Sequence, residues 1–505
     1  MEKLIAGVYL MTMVMMAGPA QAVDNELAEQ AHEALRNATI YLTEEVAYEG
    51  GYVSIYLADD PSQPGWAKLG FRPGRTWHWL QSPGSPAMGL SYVNAWKATG
   101  DELFLDAAVQ TAHSLVWGQL QSGGWDDYID HSPEGERTYF YRRNEGSENP
   151  ELTSGNNRST LDDNITQIVM RLLMAVDQEL EKLGKRDESI HDAAIASLEF
   201  ILSSQFENGA WPRDYPLRGR GYGDFYMYND GVHFDNLDVL MIGYRNYGDQ
   251  RYFDAVVRGG EFIIESQLPE PHPIWAQQYD FDMQPAWARR MEPAAACAGE
   301  SAGVLRILPE LAIFTGDTRF LDPIPAAVAW YERSKLEDGT WARYYELKTN
   351  RPLFQISMDR TAYWLSYEDH DTPDHYGFKG NYGQGVPRVA EITAQIRKLG
   401  PEEYDRQRRQ GAEVTARNGP ALATDDRQRQ PSDLTEAERM ERARAMQDDV
   451  RLVLQAQDDQ GRWVETVPPD HRFVNLWGGH ELISMRTFQN NMGVLSHYLQ
   501  FVNGK

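Results

Sequence analysis

The chain has 505 residues, 42% hydrophobic and 24% charged, which suits a folded protein with a sizeable core and excludes a largely disordered or collagen-like one. Asp and Glu number 75 against 48 Lys and Arg, a net charge of −27. That balance argues against a nucleic-acid partner, which needs clustered Lys and Arg. An acidic ligand would need local cationic side chains or a bound cation.

Residues 1–22 read as a secretory signal peptide. Lys3 is followed by an apolar run from Leu4 to Ala17 and by the small-residue cleavage site Pro19-Ala20-Gln21-Ala22. The run is shorter than the ~20 residues a membrane span needs. A secreted or periplasmic chain, 23–505, without a stable membrane anchor is expected. Cys297 is the single cysteine, so no intrachain disulfide forms and the thiol reads as a buried apolar group.

A Gly-x-aromatic turn recurs at Gly50-Gly51-Tyr52, Gly123-Gly124-Trp125, Gly209-Ala210-Trp211, Gly339-Thr340-Trp341 and Gly461-Arg462-Trp463, and Trp275 holds the same place without the glycine. Segments with apolar residues at helical spacing precede these turns: Leu103 to Leu120, Ile190 to Phe206, Tyr252 to Leu268 and Phe320 to Leu336. Further helical segments follow the loops, at Leu161 to Val176, Leu237 to Tyr247 and Gly303 to Phe314. Gly100-Asp101, Gly248-Asp249 and Gly316-Asp317 join helix to helix, Gly ending one and Asp capping the next. This pattern predicts an all-α fold, an (α/α) toroid of about six helical hairpins with the long loops on one face. The oversized last repeat holds a polar insertion at about 369–445, whose charged centre reads as a solvated element.

The loops after the aromatic turns are the candidate site. The third carries Trp211, Arg213, Tyr228 and Asp230; its rings suit sugar faces and its arginines suit carboxylates. The fourth carries Asp280, Asp282, Arg289 and Glu292, and the acids are oxygen donors of the kind hard cations take. The fifth carries Arg343, Lys348 and Arg351 within an otherwise acidic chain, Pro352 holding Arg351 extended; a β-hairpin with surface charges is the plainer reading of that loop. His233, His370 and His375 lack a metal-ligand spacing.

Gly209-Ala210-Trp211-Pro212 with Tyr215-Pro216-Leu217 and Tyr228-Asn229-Asp230-Gly231 resembles a run of the pectate lyases of polysaccharide lyase family 10. Trp275 to Asp280, Glu300 to Gly303, and Trp341 to Phe354 are similar to further segments of that family, in order, and Met485 to Phe488 echoes its C-terminal helix. Arg213 stands where the family has Gln, and Tyr279 where it has His.

The resemblance implies the toroid and a calcium-dependent β-elimination of homogalacturonan. It also implies Arg351 as the base, with Arg343 its nearest competitor, Asp280 as the metal ligand and Asp230 as a site carboxylate. Trp211, Arg213, Tyr228, Lys348 and Arg486 would contact substrate. Arginine is ordinarily always charged, so such a base needs a site that disfavours its charge and works best in alkali. A uronyl-oligosaccharide hydrolase using Asp162, Asp163 or Asp230 is the alternative enzyme, and a non-catalytic carbohydrate-binding protein the alternative outside catalysis. A monomer is expected.

Overall fold

A computed structural model describes residues 25–65, 73–145, 156–219, 221–357, 362–370, 372, 376–410, 434–469 and 479–504. The predicted signal segment lies outside these residues. The amphipathic segments fold as α1 (Asn25–Tyr41), α2 (Ser85–Thr99), α3 (Glu102–Trp117), the short α4 (Pro133–Thr138), α5 (Ile165–Lys182) and α6 (Glu188–Ser204). The series continues with α7 (Val232–Tyr247), α8 (Gln250–Glu265), α9 (Ala298–Thr315), α10 (Ile324–Arg333), α11 (Val386–Leu399), α12 (Pro401–Gln410), α13 (Glu436–Ala456) and α14 (Met485–Asn503). Among the described residues no helix is long and apolar enough to cross a membrane.

The Gly-Asp junctions work as their chemistry requires. Gly100, Gly248 and Gly316 take φ of 75°, 71° and 75° and close α2, α7 and α9. Asp101 and Asp249 then accept the backbone N–H two residues on and start α3 and α8; Asp317 does the same for the 3-10 turn Thr318–Leu321 before α10.

The aromatic turns are built on the tryptophan indole. Trp125 Nε1 donates to the Leu115 carbonyl at 2.9 Å, Trp211 to Ile201 at 2.9 Å and Trp275 to Ile263 at 2.8 Å. Trp341 donates to Tyr331 at 2.8 Å and Trp463 to Val453 at 2.9 Å. Every one of these acceptors lies in the last turn of the helix just left, where carbonyls lack an intrahelical partner. A glutamine ahead of four of these tryptophans ties the turn to the next hairpin. Gln119 Nε2 donates to Gly123 and to Ala193 of α6, and Gln205 to Gly209 and to Ala255 of α8. Gln267 donates to Pro273 and to Pro323 ahead of α10, and Gln457 to Gly461 and to Ala34 of α1.

These ties arrange the helices in two layers. α13, α1, α3, α6 and α8 pack side by side as an outer layer, while α14, α2, α5, α7, α9 and α11 pack in sequence inside it. α5 is buried on every side from Ile165 to Asp177, as a helix between other helices must be. The last helices meet the first: α14 packs on α2 and α1, and α13 on α1. The fold is the predicted (α/α) toroid. Within the stretch read as a polar insertion, α11 buries Val386, Val389 and Ile396 against α9 and α10, so it belongs to the helical layers; 411–433 lie outside the described residues.

Short antiparallel ladders join successive loops on one face. Trp77–Trp79 pairs with Tyr128–Asp130, Ser159–Thr160 with Asp214–Tyr215, and Tyr226–Met227 with Gln278–Tyr279. Ala296–Cys297 pairs with Tyr344–Tyr345, and Ile55–Leu57 with Glu481–Ser484. Between the fifth and sixth hairpins the described residues show no such ladder. There Lys335 replaces the bridging glutamine, and a Cβ on Gly339 would meet nothing within 4 Å, whereas one on Gly209 would stand 2.1 Å from the Arg258 carbonyl. The ring thus has one looser seam.

Replacing Trp211 by Phe leaves the Ile201 carbonyl with only the Ser204 hydroxyl at 3.2 Å, and a loss of about 1 kcal/mol is expected in denaturant unfolding. Lys335→Gln, at the seam, is expected to leave stability unchanged or raise it.

Candidate functional site

The loop face carries the starts of the inner helices α2, α5, α7, α9 and α14, whose dipoles favour anions. Two 3-10 turns, Asp162–Asn164 and Asn229–Gly231, lead into α5 and α7 and pack against each other. Asp163, Asn164 and Asp230 take φ of 52°, 60° and 48°, a left-handed conformation that costs non-glycine residues energy. Such strain is concentrated at functional sites, and here it aims two carboxylates from neighbouring helices at one region.

Asp230 is pushed up to about 8 by burial and by the carboxylates of Asp162, Glu300 and Asp163, with Arg289 opposing. Its Oδ2 accepts from Asn229 Nδ2 at 2.6 Å and lies 3.9 Å from Arg289 Nη2. Gln277 Nε2 links Asn229 Oδ1, at 2.6 Å, to Glu292 Oε1, at 2.8 Å. Glu292 is fully buried; burial works against its charge, but two Arg289 hydrogen bonds and the Tyr376 hydroxyl at 2.9 Å hold it below the usual carboxylate range.

Arg343 reaches the same region from the fifth loop. Its carbonyl accepts the Ala298 N–H that opens α9, and its Nη2 pairs with Glu300 Oε1 at 2.5 Å. Burial opposes its charge, but Glu300 outweighs it and raises the guanidinium above its ordinary range. The guanidinium lies 4.8 Å from the centre of the Tyr376 ring, with Arg289 5.8 Å away from that ring. Two arginines therefore flank one tyrosine beside a group of carboxylates.

The predicted residues divide sharply. Asp230 and Arg343 lie in the cluster, and Arg213 borders it, its Nη2 2.5 Å from Asp162 Oδ2. Arg486 is exposed at the first turn of α14, on the same loop face. Trp211 and Tyr228 are corrections: both are fully buried, the indole bound to Ile201 and the phenol to Ser266 Oγ at 2.7 Å, so neither ring is open to a sugar. Asp280 Oδ1 accepts the N–H groups of Asp282 and Gln284 and orders its own turn. Arg351 and Lys348 sit on the outer part of a hairpin formed by Tyr344–Tyr345 and Pro352–Ile356. Arg351 is exposed and stacks on Tyr367, 3.4 Å from the ring centre, while the Lys348 N–H donates to His272 Nε2. Among the described residues no hydrogen bond, ion pair or ring contact joins either to the cluster. Tyr376 and the Arg343–Glu300 pair were not foreseen; Tyr376 comes from the segment read as an insertion.

The cluster suits calcium in donor chemistry, being made of hard carboxylate oxygens, and buried Asp162 Oδ1 has no hydrogen-bond partner. Among the described residues no three acidic, His or Cys side chains form a complete metal cage. A cation here would take much of its oxygen set from water and substrate.

The raised Asp230 carboxyl means the folded chain keeps a proton that the unfolded chain loses between about pH 4 and about pH 8. Stability falls as pH climbs through that window. Asp230→Asn cannot ionise, so its stability relative to the parent chain is expected to rise with pH, read by thermal unfolding at pH 5 and pH 9. An advantage no larger at pH 9 would contradict the assignment.

The family model of pectic acid lyases matches residues 119–340, the span of the second to fourth loops. No curated protein matches the chain. Among solved structures, a family 10 polysaccharide lyase from Cellvibrio cellulosa is similar at 21% identity and TM-score 0.42, over 61% of this chain and 97% of that one. A mutant of it in complex with trigalacturonic acid has the same identity and TM-score, over 98% of that chain. A glycoside hydrolase family 76 mannosidase from Bacteroides thetaiotaomicron is similar at 10% identity and TM-score 0.43, over 95% of this chain and 100% of that one. The family match falls on the loops that bear Asp163, Asp230, Arg289 and Glu292, so across residues 119–340 the chain is similar to the pectic acid lyases.

Proposed function

We propose that the chain is an exported, monomeric lyase that opens polygalacturonate-type uronate chains by calcium-assisted β-elimination. The observation that carries this reading is the Arg343–Glu300 pair, set with Arg289 around Tyr376 beside the carboxylates of Asp163 and Asp230. Cationic groups receive a uronate carboxylate, and the neighbouring acids give a divalent cation its foothold in a chain of net charge −27.

The uronate C5 proton lies α to a carboxylate, so its removal spreads negative charge onto the carboxylate oxygens. Arg343 is the side chain we assign to neutralise that charge, with Arg289 next to it. Asp163 and Asp230 would hold calcium, which when bound adds further neutralisation of the same anion. Loss of the O4 substituent then leaves a double bond between C4 and C5 at the new end. Arg343 replaces Arg351 as the arginine assigned to the reaction. Glu300 keeps it charged, so it stabilises the anion, while the C5 proton passes to solvent hydroxide, which favours alkaline turnover.

Ultraviolet absorbance of the unsaturated product, followed on polygalacturonate at alkaline pH with calcium or with chelator, tests this. Wild type is expected to give a calcium-dependent rise. Arg343→Ala is expected to lose ~10²–10³-fold in kcat, the scale for removing one charge-stabilising group, while Arg351→Ala keeps most of its rate. A flat wild-type trace would refute the lyase, and falling absorbance on unsaturated oligouronides would point to the hydrolase instead.

A further inference from the structure

The two left-handed turns of the cleft share one buried anchor. Arg171, on α5, is 1% exposed, yet its guanidinium bonds to both neighbouring elements. Nη1 donates to Asn164 Oδ1 at 2.6 Å, inside the turn that presents Asp163. Nη2 donates to Asp235 Oδ1 at 2.9 Å and to Asp238 Oδ2 at 2.8 Å, and Nε to Asp238 Oδ2 at 3.1 Å, both acids on α7. Asp235 in turn lies directly under the Asp230 turn: a Cβ on Gly231 would stand 2.6 Å from its Oδ2. One side chain thus holds one turn directly and the other through the carboxylate packed against it.

Helix pairing alone does not call for this arrangement. The rest of α5 packs on α2 and α7 through apolar side chains, and a buried ion network is often no more stabilising than apolar residues of similar volume. What a guanidinium adds is direction, because its planar fork fixes several acceptors relative to one another. Gln167, one turn earlier, supports the same junction by donating to the Leu161 carbonyl at 3.0 Å and to Asn236 Oδ1 at 2.9 Å.

We propose that Arg171 is a positioning residue: by tying Asn164 to Asp235 it sets the spacing between Asp163 and Asp230, and so the geometry in which the cleft receives its anionic substrate and cation. The proposal rests on the lyase reading for its effect on turnover, but its structural content stands apart from that reading.

Removing Arg171 alone would strand two half-buried acids, so the test uses Arg171→Met/Asp235→Asn/Asp238→Asn, which removes the charges together. This variant is expected to unfold cooperatively near the wild-type Tm while kcat on polygalacturonate falls ~10²-fold, the scale of an ångström-sized misplacement, with KM changed less. Arg171→Lys, which keeps the charge but not the fork, is expected to fall between. A stable triple variant with wild-type kcat would overturn the proposal. Crystal structures of wild type and triple variant give an independent reading even if wild type forms no unsaturated product. The Asp163 and Asp230 turns are expected to shift apart or leave the left-handed region, and turns that superpose unchanged would overturn the proposal whatever the assay shows.

Discussion

The indole N–H of each turn tryptophan, bonded to a carbonyl in the last turn of the helix before it, is the contact on which the rest of this architecture depends. It gives a buried helix-end carbonyl a donor, and it sets the chain reversal at the same end of the hairpins that carry it. Because the reversal always occurs there, the loops leave on one face, and the short ladders between consecutive loops become possible. The glutamines extend the tie sideways, and Gln457 bonding to Ala34 brings the end of the chain onto its beginning. Where glutamine is replaced, between the fifth and sixth hairpins, the described residues show no ladder between the loops either.

That scaffold creates an electrostatic problem, and the site is its local answer. Inner-helix starts favour anions, but the loops place Asp162, Asp163, Asp230, Glu292 and Glu300 among them. Each acid is handled differently. Glu292 is matched by Arg289 and stays charged, Asp162 is met by Arg213, and Glu300 is met by Arg343. Asp230 is left with too little compensation, which is why its proton is held so firmly. Burial also outweighs the arginines at Asp162 and Glu300, whose carboxyls are raised too, so the site gathers undercompensated carboxylates beside two arginines.

Much of the fold was legible because its signals are local. The Gly-Asp junctions are cap chemistry confined to two residues, and the helices announce themselves through apolar spacing. The tryptophans were legible as a repeat but not in their role, since the residue that stacks on a sugar is also the one that fills a turn. The signal that separates the two readings is the glutamine six residues ahead of Trp125, Trp211 and Trp463 and eight ahead of Trp275. Asp280 was ambiguous for a related reason: an Asp followed by Asp282 and Gln284 serves its own turn as readily as it serves a metal. The choice between Arg343 and Arg351 was not legible, because it depends on how the hairpin lies on the start of α9. Tyr376 was beyond reach, since it meets Arg343 and Glu292 only through long-range folding.

The central claim is that Asp163 and Asp230 jointly provide the place where a uronate and its cation bind. Calorimetric titration of tri-galacturonate into the wild-type chain and into Asp163→Asn/Asp230→Asn, each with calcium and with chelator, tests it most directly. The account predicts calcium-dependent binding by wild type that the double variant loses while remaining folded. Binding of equal strength in the double variant, or binding indifferent to calcium in wild type, would contradict it.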